Sequence, residues 1–584
     1  MKSKKAMALA CAMGICLSLP VQAYAEKGEV NVEVAQAGLT IGKLTSPQQG
    51  TIEKIVKDYL KGELSGAKAQ PEQISTEEQT NFVINSKEKK DGETEVRLSQ
   101  TYKNMKVYGQ DVIVKVDSEG VVTTVSGKVA NTLDKQANLR RSASITVSKL
   151  KSVIRQATGV PFQAVEKEFK RENVVFQKED GTYTVAAVVQ FAYESKTDVI
   201  SGNAIVDLTD GKVLFIDHIS KKKEVSKIPT NNALRLLTTK ELGSGTDALG
   251  TNMLFNISKG TDQNYYLADL SRGNGIYVYN ANYADAKGGR SNVGYPGTLI
   301  SSPTTKFEDK EAVGVMKNMS SIYDYFKKEH NLKSYDNKDA KVVASVHGFD
   351  SDGTEENAKP SSWVNAFWHP GWKQMVFGDG LNGTLTSSID VTAHEFGHAV
   401  FSGNTKNNVV KYPSKATRAI NEGLADFWGV QVERYVDKKN WDWVMGNTLK
   451  GLVIRDIPKE IGDGGHKLYT NLNDFYNTAV NEQESHMNSG IISHVLYQLV
   501  EGKTHNGVTT EALGHDKVSK IVMHTLQNYA TAGEEFETLQ VHMLQSATEL
   551  YGDKEAEEFA KAFEAHGYPD IDLDKNEKAV TTIN

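Results

Sequence analysis

The stretch that most constrains this chain is Val391-Thr-Ala-His-Glu-Phe-Gly-His-Ala-Val400. His394 and His398 stand four apart, and Glu395 directly follows the first. On an α-helix, positions i and i+4 share a face about one turn apart. Two imidazoles so placed reach one tetrahedral zinc ion. Glu395 lies about 100° further round the helix, near the open side of such a metal. A carboxylate there holds and deprotonates a water. Val391, Phe396 and Val400 give the helix an apolar face to bury.

Two histidines are not yet a site; a third ligand is needed. Asn421-Glu-Gly-Leu-Ala-Asp426 supplies it a short loop downstream. Glu422 completes a His/His/Glu set with one position left for water. Asp426 is one helical turn past Glu422 on the same face. It suits a carboxylate that accepts the free N–H of a zinc-bound histidine. Asn421 stands beside Glu422 in the same supporting layer.

The chain has 584 residues, enough for three or four domains. Its net charge of −7 and charged fraction of 24% carry no footprint of nucleic-acid or membrane-surface binding. Met1-Lys-Ser-Lys-Lys5 is basic, Ala6 to Leu19 is apolar but too short to span a bilayer, and Ala23-Tyr-Ala25 is a small-x-small cleavage site. Residues 1–25 thus read as a secretory signal peptide, and the product is expected outside the cell. Cys11 and Cys16, the 2 cysteines, both lie inside it. With no disulfide to staple the exported chain, bound metal ions are the natural substitute.

Residues 26–235 are rich in Lys, Glu and alternating strand patterns. Glu95 to Tyr102, Val112 to Asp117 and Val121 to Val125 read as strands, with Ser118-Glu-Gly120 as a turn. A helix over Ile145 to Ala157 opens a second unit, with strands at Tyr183 to Ala192, Ala204 to Leu208 and Lys212 to Ile216. The expectation is two small α+β units, 26–135 and 136–235. Lys221-Lys-Lys-Glu-Val-Ser-Lys227 is a plausible exposed cleavage segment.

Gln100-Thr-Tyr-Lys-Asn-Met-Lys-Val-Tyr-Gly109 resembles the propeptide shared by thermolysin-like and fungalysin-like proteases. From about residue 236 the resemblance to the thermolysin family continues to near the C-terminus. It is carried by Tyr265-Tyr-Leu-Ala-Asp269, Arg272-Gly-Asn-Gly-Ile-Tyr277, Asn365-Ala-Phe-Trp368, Gln374-Met-Val-Phe-Gly-Asp-Gly380 and Ser485-His-Met-Asn-Ser-Gly-Ile-Ile492. The resemblance implies an α+β fold of thermolysin type. A β-rich N-terminal lobe (236–390) and a mostly helical C-terminal lobe (391–584) would flank a cleft floored by the zinc helix. It implies a secreted, zinc-dependent endopeptidase made as a latent precursor. Its partners would be protein or peptide substrates and its own propeptide, which aids folding and inhibits; nothing demands more than a monomer.

The resemblance also implies roles. Asn365 and Ala366 would hold the substrate backbone along an exposed strand edge, where main-chain groups pair regardless of sequence. His486 would donate a hydrogen bond to the developing oxyanion, with Tyr412 in support. Arg455 would order the pocket for the residue after the scissile bond. Ile454 and Val391 would wall that pocket, favouring cleavage before apolar residues.

Helical spacing and the resemblance together give a calcium expectation. Asp390 is one turn before His394, and Glu433 is eleven residues, about three turns, after Glu422. If the two helices run antiparallel, both carboxylates converge away from the zinc. Asn440 and Asp442 follow the second helix, and the cluster suits calcium. It resembles the family's double-calcium site, but Val444 and Asn447 replace two glutamates, so one calcium is expected. The family's other two calcium sites look absent: Ser302 and Thr304 replace acidic ligands, and the loop between Gly446 and Arg455 is short. Asn481 stands where the family has an aspartate near His486; it accepts a hydrogen bond but offers no charge to an imidazolium. Glu482 and Glu484 are candidate substitutes. The acidic loop Asp350 to Glu356 after His347 reads as a solvated insertion, and His369 as surface. Two rival readings are a narrow processing peptidase and an inactive binding protein on the same fold. The intact Glu395 speaks against the second.

Overall fold

A computed structural model of the chain describes residues 38–65, 80–90, 92–130, 133, 136, 139, 145–158, 168–178, 180–194, 198–222, 237–286, 295–349, 360–405, 414–449, 452–477 and 482–571. The expected signal peptide, residues 223–227 of the cleavage segment, the acidic loop 350–356, Tyr412 and Asn481 lie outside them.

The N-terminal third forms one nine-stranded sheet. The expected strands appear, four of them one residue shorter at one end, in Glu93–Tyr102, Met105–Val116, Val122–Ser126, Tyr183–Glu194, Asp198–Asp207 and Val213–Lys222. Alternation places one side chain in two on the covered face, as in Val122–Ser126. The amphipathic helices Ile52–Ser65 and Val147–Thr158 each support a separate apolar core. Ile55, Val56 and Leu60 pack with Phe82, Val96 and Leu98; Leu150 and Ile154 pack with Val185 and Val189. The two halves share a sheet through a parallel pairing that sets Lys106 against Val174.

This region docks on the C-terminal helices. Leu39 packs with Tyr529 and Val541. Ser126 Oγ donates to the Tyr529 carbonyl at 2.6 Å and lies 3.0 Å from His542 Nε2. His542 Nδ1 is 2.7 Å from Glu534, so a polar chain crosses the interface, and Lys90 Nζ donates to Asn528 Oδ1 at 2.6 Å beside it.

The middle third holds a five-stranded and a six-stranded sheet. In the second, Ile276–Asp285, Val342–Phe349 and Gln374–Phe377 run parallel. Ala366–His369 joins antiparallel as the edge strand, with Phe367 opposite Val376. Helix Lys310–His330 backs these sheets. Asp309 caps it by accepting from the Ala312 N–H at 3.0 Å, and Asn331 ends it in the left-handed conformation at φ 50°.

His347 ties this lobe together. Its Nε2 is 3.0 Å from Asp309 and its Nδ1 is 2.7 Å from Asp379. Burial lowers its pKa, but hydrogen bonds and charge from the two carboxylates outweigh that and raise it from 6.5 to about 10. A raised folded-state pKa gives stability that is complete below 6.5 and is lost as the pH climbs through 10. His347→Gln is therefore expected to cost about 2–4 kcal/mol at pH 6 and much less above pH 10, read from paired thermal melts.

The C-terminal part is helical, with Ile389–Asn404, Lys415–Val436, Gly490–Glu501, Gly514–Asn528, Phe536–Tyr551 and Asp553–Ala565 as its long members. The first two pack side by side. A Cβ on Gly397 would lie 2.9 Å from Ala425 Cα, and one on Gly429 would lie 2.9 Å from the Asp390 carbonyl. Those two positions admit no larger residue without parting the helices. One apolar core spans both lobes: the Phe326 ring meets Phe396 at 5.3 Å and Trp428 at 5.2 Å. Helix Ile389–Asn404 is consequently buried nearly all round, where the sequence suggests only an apolar stripe. Among the described residues no helix is long and apolar enough to cross a membrane.

Candidate active site

The paired helices put His394 and His398 opposite Glu422. His394 Nε2 is 3.4 Å from one Glu422 oxygen, and His398 Nε2 is 3.8 Å from the other. One ligand atom from each of the three lies within 4.8 Å of the others. Glu422 Oε2 is buried without a hydrogen-bond partner, as a carboxylate reserved for a cation would be. Borderline nitrogen and oxygen donors at this spacing fit zinc. Burial opposes charge on His394, yet Asp426 and Glu422 raise its pKa to about 10. Against the same burial, His486, His398 and His394 hold Glu422 well below the usual carboxylate range. The pocket therefore favours positive charge, which a metal supplies by displacing protons.

A second layer orients these groups. Asp426 Oδ1 is 3.0 Å from His394 Nδ1. Its other oxygen accepts from Ser489 Oγ at 2.7 Å and lies 3.5 Å from Arg455 Nε. Arg455 is itself buried and donates to the Ile454 carbonyl at 3.0 Å. Asn421 is buried and lines the same cleft.

Glu395 lies in the cleft beside the zinc ligands, and burial raises its pKa while His398 and His394 lower it. The nearby Trp368 backbone N–H also favours its charged form, and its Oε2 is buried with no hydrogen-bond partner. Glu395 thus faces both the metal position and the edge strand Ala366–His369. His486, on the short helix Glu482–Met487, brings Nε2 to 3.6 Å from Glu422. Asn365 is exposed at the mouth of the cleft, and its side chain accepts from the Ala366 N–H at 2.9 Å. The cleft holds about 510 Å³, and Leu385, Val391, Leu452 and Ile454 form an apolar wall beside Arg455.

On the far side of the helix pair the structure gathers Asp390, Glu433 and Asp442. Burial and then the charges of Asp390 and Asp442 push Glu433 up to about 8. Glu433 Oε2 is buried and unpartnered, and Asn447 donates to Asp442 at 3.0 Å. Asn440 is exposed and turns instead to Asp437 at 2.8 Å.

Nothing in the sequence alone marks Ser489, the Trp368 N–H or the wall residues Leu385 and Leu452. Ser489 lies inside a motif already singled out, three residues after His486. A backbone donor carries no signal in the sequence. His369, expected at the surface, is half-buried and stacked on Trp372 at 3.8 Å.

Comparison with known proteins identifies the family. Residues 242–402 match the thermolysin metallopeptidase catalytic domain, 411–568 its alpha-helical domain, and 80–129 the fungalysin/thermolysin propeptide motif. The chain is similar to bacillolysin of Bacillus cereus, with 31% identity over 95% of this chain and 97% of that one. It is similar to the thermostable neutral protease NprT of Geobacillus stearothermophilus, with 29% identity over 97% and 100%. Among solved structures it resembles the precursor of protealysin, a metalloproteinase from Serratia proteamaculans (22% identity, 50% and 87% covered, TM-score 0.40). With its catalytic lobe, helical lobe and propeptide motif in their expected order, this chain belongs to the thermolysin family of metallopeptidases.

Proposed function

We propose that the chain is a secreted zinc endopeptidase, made as a latent precursor, that hydrolyses peptide bonds before apolar residues. One observation carries the reading: His394, His398 and Glu422 meet in a cleft where Glu395 and an open strand edge face the same point. When bound there, zinc supplies Lewis-acid polarisation of the scissile carbonyl and makes water more acidic.

The chain's own groups do the rest. An extended peptide pairs with the free edge of Ala366–His369, and Asn365 and Ala366 fix its register. Glu395 takes the proton of the attacking water on its carboxylate and later passes it to the leaving nitrogen. His486, with Tyr412, donates to the oxygen on which negative charge develops. Arg455, held by Asp426 and Ser489, sets the side of the pocket for the residue after the scissile bond. The apolar wall beside Arg455 supports a preference for apolar residues there.

The test is cleavage mapping on a mixed peptide library by the processed protein. Cuts before Leu, Ile, Val or Phe, abolished by a zinc chelator and restored by zinc, are expected. Cuts that ignore the following residue, or that survive chelation, would refute the reading.

The propeptide acts as inhibitor and folding aid, and the processed enzyme is a monomer. The packing of the N-terminal sheet on the C-terminal helices supports the first of these. One calcium ion is assigned to Asp390, Glu433 and Asp442; Asn440, turned to Asp437, is not part of the set. Three neighbouring carboxylates, with Glu433 Oε2 buried and unpartnered, suit a hard cation. Calcium at about 100 times its Kd should add about 2.7 kcal/mol of stability. Thermal melts with and without calcium should differ accordingly in the wild type and coincide in Glu433→Gln.

A further inference from the structure

Outside the catalytic cleft, three histidines from separate elements converge in the helical lobe. His494 lies on helix Gly490–Glu501. His505 lies on the first strand of the hairpin formed by Thr504–His505 and Val508–Thr509. His566 caps the end of helix Asp553–Ala565. Their ring centroids are 4.6 Å (494 to 505), 4.3 Å (505 to 566) and 5.1 Å (494 to 566) apart. One ring nitrogen of each lies within 4.8 Å of the other two. We infer that His494, His505 and His566 form a second transition-metal site, which clamps the C-terminal helix to the lobe.

The protonation pattern favours ligation. His566 Nδ1 is 2.7 Å from the Ala562 carbonyl, which can only accept, so that nitrogen carries the hydrogen. Its Nε2 lone pair therefore points inward and accepts from His494 Nδ1 at 2.9 Å, a hydrogen bond that a bound metal would replace. His505 Nε2 is buried and has no hydrogen-bond partner. His505 Nδ1 is 3.8 Å from the Glu460 carboxylate. A backbone carbonyl on one ring and a carboxylate near another are the outer partners that metal-bound histidines use. Burial, with the neighbouring histidines, keeps His494 down at about 3 and His566 well below its ordinary range. Burial lowers His505 as well, so all three sites disfavour the charged ring and suit neutral imidazole, the form that binds metal.

Ligand chemistry sets the metal class. Three imidazole nitrogens suit zinc, copper or nickel, whereas calcium and magnesium want oxygen. The His505 side chain keeps 12% of its surface exposed, so the cluster lies close to solvent although His505 Nε2 is buried. Without a metal, the same cluster packs three neutral rings against one another and strands one buried nitrogen. A clamp of this kind joins three elements in a chain whose 2 cysteines both lie in its first 16 residues.

The test counts zinc per chain. The full-length precursor is saturated with zinc, freed of excess and measured by elemental mass spectrometry. Wild type should hold two zinc ions, and His505→Asn one, with casein hydrolysis unchanged after processing. The doubly substituted His394→Ala, His398→Ala chain should still hold one, and should melt higher with zinc than without. This arm decides the matter if His505→Asn fails to fold. One zinc in wild type, none in the doubly substituted chain, or a count unaffected by His505→Asn would overturn the site.

Discussion

Glu395→Gln is expected to lower kcat on casein by about 10²- to 10⁴-fold, the usual contribution of a positioned general base. The substitution is close to isosteric. The zinc ligands His394, His398 and Glu422 are untouched. What it lacks is a basic oxygen. Zinc content and the melting temperature should therefore stay near wild type, and KM should change little, because Glu395 acts on water rather than on the ground-state peptide. The mass of the purified chain gives a second readout. A Glu395→Gln chain that stays at precursor length would mean that the enzyme removes its own propeptide. A chain that is shortened but inactive would mean that another protease does so. A fully active Glu395→Gln would remove Glu395 from the mechanism.

Asp426→Asn should act on the metal rather than on the chemistry. Asp426 is fully buried between His394, Ser489 and Arg455. Removing its charge frees His394 to adopt the wrong orientation and tautomer, and such outer partners are worth about 10- to 100-fold in metal affinity. It also leaves the Arg455 guanidinium buried without its counter-ion, at a cost of about 3–5 kcal/mol. Chelator competition should show the affinity loss, and excess zinc should restore most of the activity but not all of the stability. Unchanged zinc affinity in a destabilised protein would reduce Asp426 to a partner of Arg455 alone.

The central features were legible because they are local. An i, i+4 spacing sets His394 with His398 and Glu422 with Asp426, whatever the rest of the chain does. Counting helical turns brings Asp390 and Glu433 together only if the two helices run antiparallel, and the approach of Gly397 to Ala425 and of Gly429 to Asp390 shows that they do. What was not legible joins distant segments. Ser489 reaches Asp426 across 63 residues. His347 was notable in sequence only for the acidic loop after it, yet it bridges Asp309 and Asp379, 38 and 32 residues away. The histidines at 494, 505 and 566 follow no motif spacing, and only the packing of a hairpin against two helices brings them together. His369 looked like a surface residue because nothing in the local pattern anticipates a ring stacked on it from Trp372.

The most direct test of the account is anomalous X-ray scattering, recorded on either side of the zinc edge from crystals of the active, processed enzyme. The account predicts a zinc peak bonded to His394, His398 and Glu422, with Glu395 facing its open side. An active enzyme with no zinc at those three residues would contradict it.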